Sequence, residues 1–592
     1  MTATLVARLL EHARDRAGDV ALREKHRGVW REWTWAEYAK RVADVAAGLR
    51  ALGVGLGSRV AIHAENRPEW VVADLAVQGL GACSVGVYPT SPSAEVEYVL
   101  AHSETEVLIA EDEEQLDKAL AVRDRLPLLR HIVVMDPRGL PPGPPDVVTF
   151  AELESGAPDS VAAYAESVAA LAPEETAVLV YTSGTTGPPK GAMISHANLV
   201  AAGVTSVALG AVRGDEVLSY LPLCHVAERL ISVADGVWAG LVVNFGEGGA
   251  SFPNDLRDVQ PTVFLGVPRV WEKMLATVEI RMAAASRLKR LLYKACLRQG
   301  RRLAPRRMTG GVGFGGRVVL VVCELLVFRA LREKLGMSRV RTPISGAAPI
   351  APQVLEYLWA IGIPVREGYG QTENTAICTL TPVGDVRLGA VGVALPGVDV
   401  RIAPDGEILT RSAGVFLGYL NDPVATKAAV DEDGWLHTGD VGTVDGDGFL
   451  RITDRKKDII ITAGGKNISP SELENRLKVS PYVRETVVIG DRRKYLTALI
   501  GIELDTVGNW ASRRGLAYTT YADLSAKDEV RTLIDGVIQA ANGEFAQVER
   551  IKRFTLLAKE LDHEDGELTA TQKVKRRAMA QRFEPEIEAM YR

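Results

Sequence analysis

The stretch Tyr181-Thr182-Ser183-Gly184-Thr185-Thr186-Gly187-Pro188-Pro189-Lys190-Gly191 decides the reading of this chain. It follows Ala177-Val178-Leu179-Val180, an apolar run that reads as a buried strand. The strand then opens into hydroxyls and glycines, the composition of a loop that wraps phosphate. Glycines let the backbone approach closely and take angles closed to other residues. Successive N–H groups can then form an anion-binding concavity. Hydroxyls and one lysine add donors and positive charge. The common nucleotide P-loop is excluded, because it needs Gly-Lys followed at once by Ser or Thr. Here Pro189 precedes Lys190 and Gly191 follows it.

Outward from this loop the chain alternates. Val60-Ala61-Ile62, then Pro68 to Gly79, then Cys83 to Val87 read as strand, helix and strand. The alternation continues past Val107-Leu108-Ile109 and Ile132-Val133-Val134, which argues for a parallel sheet covered by helices. Leu5, Leu9, Leu10 and Ala13 share one face of a docking helix over 3–15. Residues 136–146, rich in Pro and Gly, read as a surface loop. At 592 residues two or more domains are expected. A hydrophobic share of 47% and a charged share of 24% suit a soluble globular protein. The net charge of -6 gives no case for nucleic-acid binding. The five cysteines are scattered without metal spacing, and no basic-then-apolar signal opens the chain. A cytoplasmic protein is therefore expected. The apolar run from Val318 to Phe328 is interrupted by Glu324 and is too short to span a bilayer.

Loop 182–191 closely resembles the phosphate-loop signature of the adenylate-forming superfamily, which contains acyl-CoA synthetases, luciferases and nonribosomal adenylation domains. Later motifs follow in that family's order, so the resemblance spans almost the whole chain. It implies that Thr182, Ser183, Gly184, Thr185, Thr186, Gly187 and Lys190 hold the phosphates of ATP. In Leu221-Pro222-Leu223-Cys224-His225 it sets His225 beside the acyl carboxylate. In Ser345-Gly346-Ala347-Ala348-Pro349 the backbone of Gly346, Ala347 and Ala348 lines the adenine pocket, where small residues let a base approach. The next motif is Glu367-Gly368-Tyr369-Gly370-Gln371-Thr372-Glu373. There Tyr369, between glycines, is expected to be exposed and to stack on the base, with Gly370 and Gln371 beside it. Thr372 donates to a phosphate, and Glu373 is a hard oxygen ligand suited to Mg2+. In Trp435-Leu436-His437-Thr438-Gly439-Asp440 the aspartate holds the ribose. Arg455 contacts the ribose as well, and Lys457 sits at an interdomain hinge. Near the end, in Gly566-Glu567-Leu568-Thr569-Ala570-Thr571-Gln572-Lys573-Val574-Lys575-Arg576, Lys573 takes the place of the family's catalytic lysine, with Lys575 as rival. Gln572 stands where many members have glycine, a mark of the long-chain branch. Gly266-Val267-Pro268-Arg269 with Trp271 looks like the same branch, although an arginine after a strand is often structural. Ala234, Gly236 and Gly240 suggest room for an acyl tunnel.

Residues 281–317 contain many Arg and Lys and no Asp or Glu. Leu288, Leu291, Leu292 and Leu297 interleave with Arg287, Lys289, Arg290 and Arg298. A basic amphipathic helix over 281–307 can lie on the anionic inner face of a membrane, or present a solvated basic face. Gly311, Gly313 and Gly316 match a dinucleotide fingerprint, but no strand precedes them and a strand-like apolar run follows, the reverse of the required order. From Gly389 the pattern becomes short strands and tight turns, with hairpin signals at Asp405-Gly406 and Asp447-Gly448.

The expected fold is α/β and α+β multidomain. Residues 1–454 form a large N-terminal domain of two α/β subdomains plus a small β-rich subdomain, and 455–592 form a smaller, mobile α+β domain that carries Lys573. The resemblance implies a long- or medium-chain fatty acyl-CoA ligase. It would join a fatty acid to ATP with Mg2+, release pyrophosphate, and pass the acyl group from AMP to coenzyme A. Transfer to a carrier protein and activation of a bulky, sterol-like acid stay open within the superfamily. A non-catalytic adenylate-binding or membrane-scaffold protein is the reading from another class.

Overall fold

The computed structural model describes residues 4–140, 147–154, 159–182, 188–563, 565–569 and 573–592. The alternating first part folds as expected. Its eight-stranded sheet runs Gly418–Tyr419, Lys190–Ser195, Thr176–Thr182, Cys83–Val87, Arg59–His63, Val107–Ala110, His131–Val134, Val147–Thr149. From Thr176–Thr182 to Val147–Thr149 the strands are parallel. Lys190–Ser195 doubles back antiparallel and sets Lys190 opposite Thr182. Both faces of the parallel strands are covered, which is why they are nearly all apolar. Val60, Ile62, Val107 and Ile109 enter the core on one face, while Ala61, Val85, Val87 and Leu108 enter the core on the other. Helix Pro68–Gly79 is buried along almost its whole length. Its Asp74 takes a bond from Gln78 and pairs at 2.9 Å with Arg229, whose guanidinium lies over Trp70.

A second α/β region holds two further sheets. One is ordered Glu216–Ser219, Val242–Phe245, Val20–His26, Val29–Thr34. The other runs Val263–Gly266, Thr342–Ser345, Arg366–Tyr369, Thr379–Leu380, Val393–Ala394. The β-rich part is an antiparallel sheet of Asp399–Ile402, Glu407–Arg411, Leu436–Val444 and Leu450–Arg455. Gly406 and Gly448 turn its hairpins with φ of +87° and +85°, a region glycine enters without penalty. The last region packs helices Pro470–Lys478 and Asp528–Asn542 on strands Val483–Ile489, Leu496–Ile502 and Ile551–Leu556, around a core of its own.

One expected element changes type. The apolar run after Gly313 is a helix, Phe314–Cys323, which continues through a wider i→i+5 turn, Glu324–Phe328, into Arg329–Lys334. A strand needs neighbours to satisfy its backbone, and this run pairs with none. A helix closes its hydrogen bonds within the segment. The dinucleotide fingerprint fails on the same ground, since helix Arg287–Met308 precedes it.

The Arg229–Asp74 pair is fully enclosed. Removing one partner of such a pair leaves a buried charge, at a cost of about 3–5 kcal/mol. Asp74→Ala should therefore lower the urea midpoint of the large domain well below that of an exposed control such as Asp124→Ala. Equal midpoints would mean that the guanidinium finds water.

Candidate active site

The structure brings together residues that lie far apart in the chain. Strand Arg366–Tyr369 delivers Gly370, Gln371, Thr372 and Glu373 into a tight turn, Thr372–Asn374. Gln371 N–H donates to Asn374 Oδ1 at 2.8 Å, and Thr375 and Ala376 follow at φ of +53° and +80°. Ala347, in the small-residue turn after Thr342–Ser345, also has a positive φ of +67°. Non-glycine residues in this region carry strain, and strain of this kind gathers at functional sites. Gly370 is sterically required. A Cβ there would stand 2.2 Å from the Ala376 carbonyl oxygen.

Tyr369 departs from expectation. It is buried, packed with Cys378, Ile408 and Leu450, rather than exposed for stacking. As the last residue of a strand it turns its ring into the β-rich core. Its hydroxyl donates to Asp440 Oδ2 at 2.6 Å, and Gln371 Nε2 donates to the same oxygen at 3.2 Å. Arg455 stands 3.3 Å from Asp440 Oδ1. Burial raises the Asp440 pKa, and Arg455 opposes that shift. One edge of the carboxylate is thus held by protein and the other faces the guanidinium.

Glu373 accepts from the Tyr419 hydroxyl at 2.6 Å. Lys190 lies 5.0 Å from the Tyr419 ring centre and 3.2 Å from Asp422. Tyr419 and Asp422 therefore connect Glu373 to the strand that ends the glycine-rich stretch. Nothing in the sequence marks either residue, because their role exists only across the sheet edge. Ser183, Gly184, Thr185, Thr186 and Gly187 lie outside the described residues, as does Gln572.

Lys573 comes from the C-terminal region. Leu568 and Val574 bridge as a short hairpin, and Thr569 Oγ1 accepts from the Lys573 N–H at 3.0 Å. The side chain is exposed to the large cleft, whose walls crowd it and strip away part of its water. That enclosure lowers its pKa to about 8; Arg455 pushes the same way, while Asp440 and Glu373 oppose. His225 caps its short helix by accepting the Ala227 N–H on Nδ1 at 3.2 Å. Burial first, then the Lys573 charge, lowers His225 to about 4, so its imidazole is neutral at pH 7. Lys573, Glu373, Asp440, Arg455 and His225 thus act on one another. Lys457 occupies the exposed turn after Arg455, beside Lys456, which pairs with Asp405 and Glu407.

Two spaces adjoin this cluster. A cleft of about 1860 Å³ is lined by Lys573, His225, Ala347, Ala348, Tyr220 and Val267 among others. A small apolar pocket of about 70 Å³ shares Ala347 with it and is lined by Gly346, Gly368, Gly370, Ile231, Leu230 and Asp235. Ala234, Gly236 and Gly240 do not line that pocket. Ala234 is in the core, Gly236 faces Val243, and Gly240 faces Arg16. Residues Arg229–Gly240 wind as a π-helix, and Leu230, Ile231 and Asp235 of this segment line the pocket.

Two ion pairs farther from the cluster also tie the C-terminal region to the larger one. Arg269 bonds Glu485 at 2.9 Å and approaches Glu503 at 3.3 Å, so its role is to join the two regions. His563 lies 3.3 Å from Glu95 of helix Ser93–His102.

A family model described as AMP-binding enzyme matches residues 9–420, and one described as AMP-binding enzyme C-terminal domain matches 457–592. The chain belongs to the AMP-binding enzyme family. Within this family it is 36% identical over 591 residues to the long-chain-fatty-acid–CoA ligase FadD15 of Mycobacterium tuberculosis, covering 99% of this chain and 97% of that one. It is 32% identical to the long-chain-fatty-acid–CoA ligase ACSBG2 of Xenopus laevis, covering 99% and 83%. Among solved structures, the anthranilate CoA ligase AuaEII with anthranoyl-AMP superposes at a TM-score of 0.73 with 21% identity, covering 99% and 98%. The adenylation domain of a carboxylic acid reductase from Segniliparus rugosus, with AMP and a carboxylic acid, gives 0.75 with 20% identity, covering 99% and 94%. These two likenesses bear on the fold, the mixed α/β architecture of adenylating enzymes.

Glu95 raises the His563 pKa above its ordinary 6.5. The contact is then complete below pH 6.5 and is lost as pH rises through the raised value. Fluorescence transfer between dyes on the two regions should report more open molecules as pH climbs from about 6 to about 8. Glu95→Gln should flatten that response, and an unchanged slope in the variant would assign it to other groups.

Proposed function

We propose that the protein is an AMP-forming fatty acyl-CoA ligase, acting on long- or medium-chain acids. The observation that carries this reading is the charge coupling of the Lys573 ammonium with Glu373, Asp440 and His225 of the larger region and with Arg455 at the boundary. The family relationship and the names of its relatives support it. A carboxylate does not react with a thiol at neutral pH, because oxide leaves too poorly. The acid therefore attacks the α-phosphorus of ATP and expels pyrophosphate. Charge then moves onto the leaving group, and catalysis rests on positioning and charge neutralisation.

In this reading Lys573 donates to the phosphate oxygens and Thr372 hydrogen-bonds one of them. Arg455 and the Asp440 edge that faces it receive the ribose hydroxyls. The backbone of Gly346, Ala347 and Ala348 borders the adenine, with Gly370 and Gln371 beside it, and 182–187 with Lys190 hold the phosphates. The neutral His225 imidazole neighbours the acyl carboxylate without competing for it as a cation. Mg2+ commonly takes one or two carboxylates plus substrate phosphates, so Glu373 fits as its ligand and the bound ion would neutralise phosphate charge. The small pocket takes the first carbons of the acyl chain, and the cleft beside Ala347 gives a longer chain and coenzyme A their room. The division falls at 454/455 with Lys457 as hinge, so rotation of the C-terminal region withdraws Lys573 before the thiol displaces AMP. The basic helix over 281–307 offers peripheral contact with an anionic membrane at the inner face.

Pyrophosphate and AMP release over acids from acetate to palmitate and sterol side-chain acids, with coenzyme A or a carrier protein as acceptor, tests the reading. Lys573→Ala should abolish adenylate formation while largely sparing thioester formation from supplied acyl-AMP. Equal loss of both half-reactions would contradict the assigned role. The wild-type kcat/KM for adenylation should fall as pH rises through about 8, where Lys573 loses its proton. The kcat limb should lie higher, because bound triphosphate stabilises the ammonium. A flat kcat/KM to pH 10 would remove Lys573 from the step.

A further inference from the structure

Helices Arg287–Met308 and Phe314–Cys323 are joined by residues 309–313 and pack on one another at the edge of the large region. The first is anchored by an inner face. Its Tyr293 hydroxyl lies 3.2 Å from that of Tyr357, and a Cβ on Gly300 would stand 2.4 Å from the Ala360 carbonyl. The second is anchored only by Cys323. Its outer stripe is apolar and open: Phe314 is 86% exposed, Leu325 70%, and Val318, Val321 and Val322 lie between them at helical spacing. Leu288 and Leu291 on the first helix are about two-thirds exposed as well, at 67% and 66%. Soluble surfaces scatter such residues singly, whereas a contiguous set marks an interaction site.

The surrounding charge identifies the partner. Between residues 281 and 332 thirteen Lys and Arg stand against one acid, Glu324. That acid is neutralised by Arg332, with Nη1 at 2.8 Å. A second copy of this chain would bring two cationic faces together, which like charges oppose. An anionic lipid surface satisfies both the apolar stripe and the basic surround. Arg281, Met282, Ser286, Lys289, Leu331 and Lys334, at and beside the two ends of this hairpin, line the large cleft.

We propose that the 287–328 hairpin seats the enzyme on an anionic bilayer, with Phe314 and Leu325 among the acyl chains, and opens the cleft mouth at the lipid surface. The functional half of this proposal rests on the fatty-acid reading, since the cleft would then exchange substrate with the membrane directly.

The test is co-sedimentation of the full chain with vesicles of phosphatidylcholine alone or mixed with phosphatidylglycerol. Binding to the mixed vesicles should be about tenfold or more tighter, and should weaken in high salt. Phe314→Asp with Leu325→Asp should reduce it about tenfold or more while leaving thermal unfolding unchanged. The same variant should release AMP from a water-soluble short-chain acid at the wild-type rate. It should be slowed several-fold on palmitate held in anionic vesicles. Equal partition into both vesicle types, or wild-type binding by the double variant, overturns the proposal. So does a wild-type dimer that the substitutions dissolve. If no acid releases AMP, the ligase reading fails, and the vesicle measurement still decides the docking face.

Discussion

A lysine ammonium offered by the C-terminal region to carboxylates of the larger one is the interaction on which this structure turns. Lys573 adjoins Val574, which bridges Leu568, and it feels the charges of Arg455, Asp440 and Glu373. Burial alone disfavours its charge. The two carboxylates restore part of that loss, and a triphosphate would restore more. In the proposed cycle the charge would be delivered and withdrawn by rotation of one packed unit against the other. Two of the ties between them, Arg269 to Glu485 and His563 to Glu95, are ion pairs. Such pairs are worth little individually when partly solvated, which would suit that rotation.

The groups that receive the lysine are fixed differently. Tyr369, Gln371 and Asp440 form a hydrogen-bonded set with little access to water, so the carboxylate cannot swing away from Arg455. Glu373 is steadied by Tyr419, which Lys190 approaches from the end of the glycine-rich stretch. Positive φ at Ala347, Thr375 and Ala376 shows that the backbone itself is bent to shape the same wall. The larger region's side of the site is therefore over-determined by strands, and the C-terminal side contributes the Lys573 charge.

Away from the site the molecule carries an unusual burden in the 287–328 hairpin. Its exposed phenylalanine and leucines gain nothing in water. They are explicable beside the basic surface and cleft-lining residues they adjoin. None of the described helices is long and apolar enough to cross a membrane.

Much of this was readable in the amino-acid order. Helix Pro68–Gly79, strand Cys83–Val87 and the hairpin turns at Gly406 and Gly448 follow from apolar period, proline at a helix start and glycine at positive φ. Such signals are local, and local geometry produces them. The family motifs also pointed to Glu373, Asp440 and Lys573, which the fold gathers although some 200 residues separate the first from the last. What the chain alone left undecided depended on neighbours it could not display. Tyr369 turned inward because a β-rich core stood behind it. Leu230, Ile231 and Asp235 came to line the small pocket through a π-helix that the sequence does not announce. The apolar run after Gly313 became a helix because no strand was there to pair with it. Tyr419, Asp422, Arg269 and Glu95 gained their roles only when distant backbone came within reach, since a contact across a sheet edge or a domain boundary leaves no period in the sequence.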